Sequence, residues 1–102
     1  SYLIIEDAFL YDYKTITLDG LSQKLGLGTR QTERLLKEHY NKTFQQKKTE
    51  SRMFAARTLL RESLKSIGEI AEELGYSSCE HFSWSFKKYC GMSPSEYRRS
   101  RG

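Results

Sequence analysis

The sequence predicts an all-α fold of about seven helices, in which two helix-turn-helix units follow one another. Two observations carry this prediction. The 102 residues contain a single proline, so long stretches rich in Leu, Glu, Lys, Arg, Ala and Gln are free to form helices. A short helix, a glycine-bearing turn and a longer helix also occur twice, roughly 50 residues apart. The run at 16–18 could be extended, but it is too short to anchor a sheet.

The first helix is predicted over 2–13 and the second over 18–25. The first takes its buried face from five apolar side chains: Leu3, Ile4, Ala8, Phe9 and Leu10. The second follows the cap oxygens of Thr17 and Asp19 and ends at Gly26. Its inward residues recur at spacings of three and four: Leu18, Leu21 and Leu25.

The third helix is predicted over 29–40 and the fourth, which is the longest, over 44–63. Asn41 ends the third helix, because asparagine tolerates the left-handed backbone conformation. The buried side of the fourth helix is predicted to consist of Phe44, Met53, Ala56, Leu59 and Leu60.

The fifth helix, predicted over 67–74, has boundary signals at both ends. Ser66 and Glu69 have the form of a capping box, and Gly75 ends the helix. Its buried face comprises Ile67, Ile70, Ala71 and Leu74.

The sixth helix is predicted over 78–90 and ends at Gly91. Its inward side chains are three aromatics: Phe82, Phe86 and Tyr89. The seventh helix has Pro94 in its first turn, with Ser93 as its cap and Glu96 reaching back to that cap.

The two halves of the chain correspond position by position. The corresponding pairs are Leu21 and Ile70, Leu25 and Leu74, Gly26 and Gly75, Leu36 and Phe86, Lys37 and Lys87, and Asn41 and Gly91. Each half is therefore a short helix, a tight turn and a second helix, which is the helix-turn-helix plan. That plan occurs in DNA-binding proteins and also in ordinary helical bundles.

The charge distribution favours a polyanion as the partner. The chain has a formal net charge of +4. Residues 14–66 carry twelve basic and five acidic side chains, residues 67–80 carry four acidic ones, and residues 81–102 carry five basic and one acidic. Of the two basic blocks, the first contains the whole first helix-turn-helix unit and the second contains most of the sixth helix, which favours DNA binding over a plain bundle.

Several other classes of protein are disfavoured. Cys79 and Cys90 are too far apart along one predicted helix for a disulfide, so we expect free thiols in the cytoplasm. His39 and His81 lack partners at metal-ligand spacing, and no nucleophile–base pair or phosphate-cradling glycine loop occurs. No membrane-spanning run or signal pattern is present. We therefore expect neither an enzyme nor a metal or cofactor. Because no initiating methionine is present, we expect a fragment of a longer protein.

A family resemblance makes the interpretation more specific. Residues 66–99, which read SIGEIAEELGYSSCEHFSWSFKKYCGMSPSEYRR, strongly resemble the signature of the AraC/XylS family of transcription regulators. The first half is similar to the family more loosely, at Leu18, Leu21, Leu25, Arg34, Lys37, Phe44, Arg52, Ala56, Leu59 and Leu60. The resemblance covers nearly the whole chain.

The resemblance implies a homeodomain-like bacterial DNA-binding domain over 1–102. It divides into a first helix-turn-helix subdomain over 1–43, a linker helix over 44–65 and a second subdomain over 66–102. The third and sixth helices would enter neighbouring major-groove segments of double-stranded DNA and read its sequence. RNA polymerase is implied as a partner, as is an effector or dimerisation domain outside this fragment. The alternative is a helical protein-interaction module that kept the fold but lost DNA reading.

On the third helix, the side chains expected to reach base edges are Thr29, Arg30, Glu33 and Arg34. Arg30 or Arg34 is expected to make a bidentate contact to guanine. Glu33 could accept a hydrogen bond from cytosine, or it could hold an arginine in place.

On the sixth helix, the expected base-reading set is Cys79, Glu80, Ser83 and Trp84. The sequence departs here from the family, in which arginine is common where Trp84 stands. Trp84 could touch a thymine methyl, cover sugar and phosphate, or pack on a neighbouring helix. Glu80 is unhelpful near phosphates unless it reads a cytosine. The sixth helix therefore either reads bases or mainly positions the domain on the DNA backbone.

The residues expected to bind phosphates are Lys37, Ser77, Ser78, Lys87, Lys88 and Arg98. Backbone N–H groups at the starts of the third and sixth helices also favour anions. Gly28 stands where the family usually has serine, so one hydroxyl is missing there. Further candidates are Lys42, Lys47 and Lys48, whereas Arg52 could instead be structural and pair with an acid on the fifth helix.

Overall fold

The structure is a computed structural model that describes residues 2–101, apart from the side chain of Arg101. Those residues form seven α-helices and no strand, which confirms the predicted all-α fold. The helices are α1 (Tyr2–Tyr11), α2 (Leu18–Leu25), α3 (Thr29–Tyr40), α4 (Phe44–Glu62), α5 (Ile67–Glu73), α6 (Cys79–Cys90) and α7 (Pro94–Arg101). None of these helices is both long and apolar enough to cross a membrane.

The helix ends differ from the predicted ones by at most two residues, and the largest difference is at the end of α1. The carbonyl of Asp12 accepts hydrogen bonds from the N–H groups of Thr15 and Ile16, at 3.0 and 2.8 Å. This turn ends α1 before residue 13 and places Ile16 in the core. The end of α5 and the start of α6 each differ from the prediction by one residue, because Leu74 and Ser78 are cap residues and not helical ones.

The chain forms two compact units, Ser1–Ser51 and Arg52–Gly102. The boundary between them lies inside α4, so this helix contributes residues to both units. Each unit contains one helix-turn-helix pair, α2 with α3 in the first and α5 with α6 in the second. The division at 1–43, 44–65 and 66–102, in which the long helix is counted separately, stays a prediction.

The first unit is built around six buried apolar side chains: Ile5, Ala8, Phe9, Ile16, Leu21 and Leu36. Three side chains that were predicted to be buried on α1 are exposed instead, namely Leu3 (80%), Ile4 (39%) and Leu10 (49%). The prediction was wrong because the buried stripe has the i, i+3, i+4 spacing that starts at Ile5. Leu3 and Leu10 lie off that stripe.

The second unit has a core of buried apolar side chains from α4, α5, α6 and the cap residue Leu74, together with Pro94 at the start of α7. They are Met53, Ala56, Leu60, Ile70, Ala71, Leu74, Phe82, Phe86 and Pro94. The Phe86 ring packs against the rings of Phe82 and Tyr97, with centroids 5.8 and 5.6 Å apart. Tyr89 was predicted to point inward, but it is 47% exposed. The buried side of α6 continues from Phe86 to the half-buried Cys90, one turn further on.

Side-chain caps define the starts of several helices. Both predicted capping boxes are confirmed, namely Ser66 with Glu69 and Ser93 with Glu96. In each, the backbone N–H of the serine donates to the glutamate carboxylate and lowers the pKa of that carboxyl. A third box was not predicted, although its Thr-x-x-Gln pattern is visible in the sequence. Thr43 and Gln46 exchange hydrogen bonds of 2.9 and 3.1 Å at the start of α4.

Candidate nucleic-acid interface

The same backbone turn connects the two helices of each unit. Gly26 follows α2 and Gly75 lies two residues after α5, and both have left-handed φ angles, 71° and 90°. In each turn the glycine N–H and the next one, from Leu27 or Tyr76, donate to carbonyls of the preceding helix at 3.0 to 3.2 Å. This is the Schellman motif, in which a residue with a Cβ would be strained at the glycine position. The backbone therefore confirms the repeat that the sequence predicts.

In the first unit, a buried chain of hydrogen bonds joins the two helices across this turn. The hydroxyl of Ser22 on α2 donates to Oγ1 of Thr32 on α3 at 2.9 Å. The Thr32 hydroxyl in turn donates to the carbonyl of Gly28 at 2.9 Å. Ser22 and Thr32 are 3% and 0% exposed. This pair was not predicted, although its signal is visible in the sequence as two polar residues at positions of the repeat that are apolar in the second unit.

In the second unit, the corresponding positions are Ala71 and Phe82, and the junction is apolar. Phe82 is fully buried, and its ring lies 5.4 Å from that of Tyr76 in the turn. The guanidinium of Arg52 lies over the Tyr76 ring, 4.9 Å from its centroid. The two units therefore hold their second helices in place by different chemistry, hydrogen bonds in one and aromatic packing in the other.

The outward face of α3 carries the four predicted base-reading residues. All four are exposed: Thr29, Arg30, Glu33 and Arg34. The opposite side of the helix is anchored by the buried Thr32 and Leu36. Within residues 2–101, neither arginine forms an ion pair with Glu33. Both guanidinium groups therefore face solvent and can approach a ligand.

The outward face of α6 is less basic. Cys79 and Glu80 are exposed and Ser83 is half-buried. Trp84 is 62% exposed, which argues against the alternative in which it packs on a neighbouring helix of the described residues. The ammonium of Lys88, one turn further along, lies 4.8 Å from the Trp84 ring centroid. This face therefore offers a carboxylate and a large aromatic ring where α3 offers two guanidinium groups.

The start of α6 provides hydroxyl and backbone donors, as predicted. Ser77 and Ser78 are exposed, and Oγ of Ser78 accepts from the N–H of His81 at 3.0 Å. This leaves the Ser78 O–H as a donor. At the start of α3, Gly28 has no side chain to do the same, and its N–H donates to Oε1 of Gln31 at 3.5 Å. The first unit therefore lacks a hydroxyl that the second one has.

The lysines divide into exposed ones and ones that the fold uses. Lys37, Lys87 and Lys88 are exposed on α3 and α6. The further candidates Lys42, Lys47 and Lys48 are instead engaged inside the first unit. Lys42 pairs with Glu50, Lys47 lies 4.3 Å from the Tyr40 ring centroid, and Lys48 donates to the Ile16 carbonyl at 2.9 Å. These contacts engage Lys42, just before α4, and Lys47 and Lys48, on α4, so all three are less available to a ligand than the exposed lysines.

The pKa values of two side chains beside these lysines, Tyr40 and Glu50, are shifted from their ordinary values. Burial raises the pKa of Tyr40, and so does the 2.5 Å hydrogen bond that its hydroxyl donates to Glu6. Burial also opposes ionisation of Glu50, but hydrogen bonds and charge from Lys42 and Lys47 outweigh it and lower the pKa of this carboxyl. Glu50 is therefore a structural carboxylate, ionised so that it can hold two lysines.

Arg98 was predicted to bind phosphate, but it has a structural position. Its Nε donates to the Leu60 carbonyl at 3.1 Å and its second terminal nitrogen to the Ser63 carbonyl at 3.3 Å. These carbonyls lie at the end of α4, where intrahelical donors are missing. Arg98 therefore caps α4, a favourable place for a cation because a helix C-terminus carries partial negative charge.

Comparison with known proteins identifies the family. Residues 21–100 match the family described as "Helix-turn-helix domain". The HTH-type transcriptional regulator ArgR of Pseudomonas aeruginosa is 35% identical over 86 residues, covering 84% of this chain and 26% of that regulator. The chain thus spans about a quarter of the length of this curated relative.

Two solved structures share the fold. One is a transcriptional regulator from Chromobacterium violaceum described as having an AraC-type DNA-binding domain, with 31% identity and a TM-score of 0.83 over 88% of this chain and 80% of that one. The other is the DNA-binding domain of AdpA in complex with a target DNA, with a TM-score of 0.87 over 97% and 89%. At 21% identity the second likeness concerns the fold alone. With the family match over residues 21–100, these findings show that the chain belongs to the AraC/XylS family of helix-turn-helix, DNA-binding transcription regulators.

Proposed function

We propose that this chain is the DNA-reading part of a bacterial transcription regulator. It binds double-stranded DNA sequence-specifically, with α3 and α6 in adjacent segments of the major groove. The observation that carries the proposal is the outward face of α3. Arg30 and Arg34 lie one turn apart there, both are exposed, and neither forms an ion pair within residues 2–101. Two guanidinium groups on the outward face of a helix that is anchored on its other side are suited to bidentate contact with guanine.

The other contacts follow from the same docking. Thr29 and Glu33 complete the base-reading set of α3, and Cys79, Glu80, Ser83 and Trp84 form that of α6. The phosphate-binding set consists of Lys37, Ser77, Ser78, Lys87 and Lys88, all of them exposed. Arg98 is left out of this set, because its guanidinium caps α4. Backbone contacts of this kind position the helices, and base contacts supply specificity.

The test is selection of binding sites from a random duplex pool, followed by sequencing. The same selection is run with Arg34→Ala and with Arg61→Ala, a matched control that removes the same charge from an exposed position on α4. We expect an asymmetric motif in which Arg34→Ala erases the preference in one half only. Loss of one bidentate contact should cost about 1–3 kcal/mol of discrimination at that base pair. A motif unchanged by Arg34→Ala would contradict the assignment of α3.

A second candidate function is a protein-interaction module, and the exposed Glu80 and Trp84 on α6 favour it. The two functions differ in their salt dependence. Binding to DNA weakens steeply as salt rises, because each neutralised phosphate releases counterions. If no motif emerges and binding stays weak at low salt, the interaction module is the better explanation.

We also propose that the chain works inside a longer bacterial regulator in the cytoplasm, with RNA polymerase and an effector or dimerisation domain as partners. The support is that the chain spans 26% of a curated relative. Transcription in vitro by purified RNA polymerase, from a template carrying the selected site, tests the first of these partners. The transcript yield should depend on the full-length protein, and an unchanged yield would count against a direct effect on the polymerase.

A further inference from the structure

We propose that Trp84 is a specificity-determining residue that selects thymine, by packing its indole ring against the C5-methyl group in the major groove. The inference rests on the proposed function and states which base, and which group on it, the second unit recognises. Of the three alternatives for Trp84, its 62% exposure argues against packing on another helix of the described residues and leaves contact with a thymine methyl or with sugar and phosphate.

The repeat places Trp84 where Arg34 stands in the first unit. Each residue follows the cap of its helix, Gly28 or Ser78, by six positions, and α3 and α6 have the same length of 12 residues. The helices are anchored at equivalent points on their other side, by Thr32 and Leu36 in α3 and by Phe82 and Phe86 in α6. Two helices docked alike would bring Arg34 and Trp84 to the same depth in the groove.

The chemistry of the indole ring narrows what it can recognise at that depth. An indole has one N–H donor and cannot make the bidentate contact that guanidinium makes with guanine. Among the base edges exposed in the major groove, the thymine methyl is the apolar group. A tryptophan at a base-reading position is therefore suited to thymine, as an arginine at the same position is suited to guanine.

Neighbouring side chains favour base contact over sugar and phosphate contact. The Lys88 ammonium lies 4.8 Å from the ring centroid and restrains the indole from one side. Glu80 lies one turn before Trp84 on the same outward side, and it is exposed. A carboxylate on this face is repelled by phosphates but can accept a hydrogen bond from the cytosine amino group. The part of α6 that carries Glu80 and Trp84 is therefore better matched to pyrimidine edges, whereas Lys87 and Lys88 further along the helix are left for phosphates.

The experiment removes one methyl group from the DNA. Wild-type protein selects its motif from a random duplex pool, and Arg34→Ala identifies the half read by α3. In the other half, each thymine is replaced singly by deoxyuridine, and affinity is measured by fluorescence anisotropy. We expect one position at which the replacement weakens wild-type binding by about fourfold, the effect of losing one buried methyl. Trp84→Ala should bind the thymine and uracil duplexes equally.

Two further variants control the result. Tyr89→Ala removes another exposed aromatic from the same helix, about 140° further round its axis, and should keep the uracil effect. Trp84→Arg should select guanine at the affected position, as Arg34 does in the first unit. Because Trp84 is 62% exposed, circular dichroism melts of its variants should match the wild type.

The outcomes separate this inference from the function on which it rests. If the pool returns no motif, the proposed function fails and the thymine assignment fails with it. If a motif emerges but the uracil scan is flat, the thymine assignment alone is overturned. The same holds if Trp84→Ala weakens binding to thymine and uracil duplexes by one common factor, because the indole would then contact sugar and phosphate.

Discussion

The buried hydrogen-bond chain of the first unit gives a quantitative test of how α3 is held. Thr32→Val keeps the size of the side chain but removes Oγ1, which accepts from Ser22 and donates to the Gly28 carbonyl. Ser22→Ala removes the other hydroxyl and leaves Thr32 bound to the carbonyl. The double substitution replaces the pair by apolar groups, which is the chemistry that the second unit has at Ala71 and Phe82.

The expected costs in the free energy of unfolding differ because of what each variant leaves behind. Thr32→Val breaks two neutral hydrogen bonds and strands the hydroxyl of Ser22, which is 3% exposed, so we expect about 2–3 kcal/mol. The Gly28 carbonyl keeps the N–H of Thr32 at 3.0 Å as a donor, which limits the cost. Ser22→Ala breaks one bond and strands nothing, so it should cost about 1 kcal/mol.

The double variant should be less destabilised than the sum of the two single variants, by about 1–2 kcal/mol, because no buried hydroxyl remains. Urea unfolding followed by far-UV circular dichroism, with linear extrapolation to zero denaturant, measures all four proteins. Strictly additive costs would refute the reasoning, because they would mean that the two hydroxyls do not depend on each other.

Three further predictions concern the cap, the charges and the pH dependence. Gly28→Ser should stabilise the chain by about 0.5–1 kcal/mol in the same urea assay, since a Cβ there meets no atom within 4 Å and the hydroxyl can cap α3; a loss of stability would contradict an unstrained cap. Lys87→Gln should lower the salt slope of DNA binding by about 0.9, whereas Lys47→Gln should leave it unchanged because Lys47 is held by the Tyr40 ring; equal slopes for both variants would contradict this division. The pKa of Glu50 is lowered in the fold, so its stabilising effect is complete above the unfolded value of about 4.3 and is lost as the pH falls through the folded value. In urea unfolding at a series of pH values, the unfolding free energy of Glu50→Gln should therefore decline less in acid than that of the wild type. Parallel declines for the two proteins would contradict a stabilising role of the Glu50 carboxylate.

Much of the fold could be predicted from the sequence, because the deciding signals are local. The capping box at Ser66 and the left-handed stops at Gly26 and Asn41 involve residues within five positions of one another. The all-α class and the repeat of the turn follow from such signals. The outward position of the proposed base-reading residues on α3 follows as well, because the 3.6-residue period that buries Leu36 also exposes Arg34.

The candidate site was harder to predict, because the same side chain has different roles in different surroundings. Lys48 and Arg98 look like phosphate-binding residues in the sequence, but each donates to a carbonyl more than 30 positions away, Ile16 and Leu60 respectively. The exposure of Trp84 was undecided in the sequence for the same reason, since it depends on which helices cover α6. Periodicity shows which side of a helix faces inward, whereas the availability of a charge or a ring for a ligand depends on partners that only the folded chain brings within contact distance.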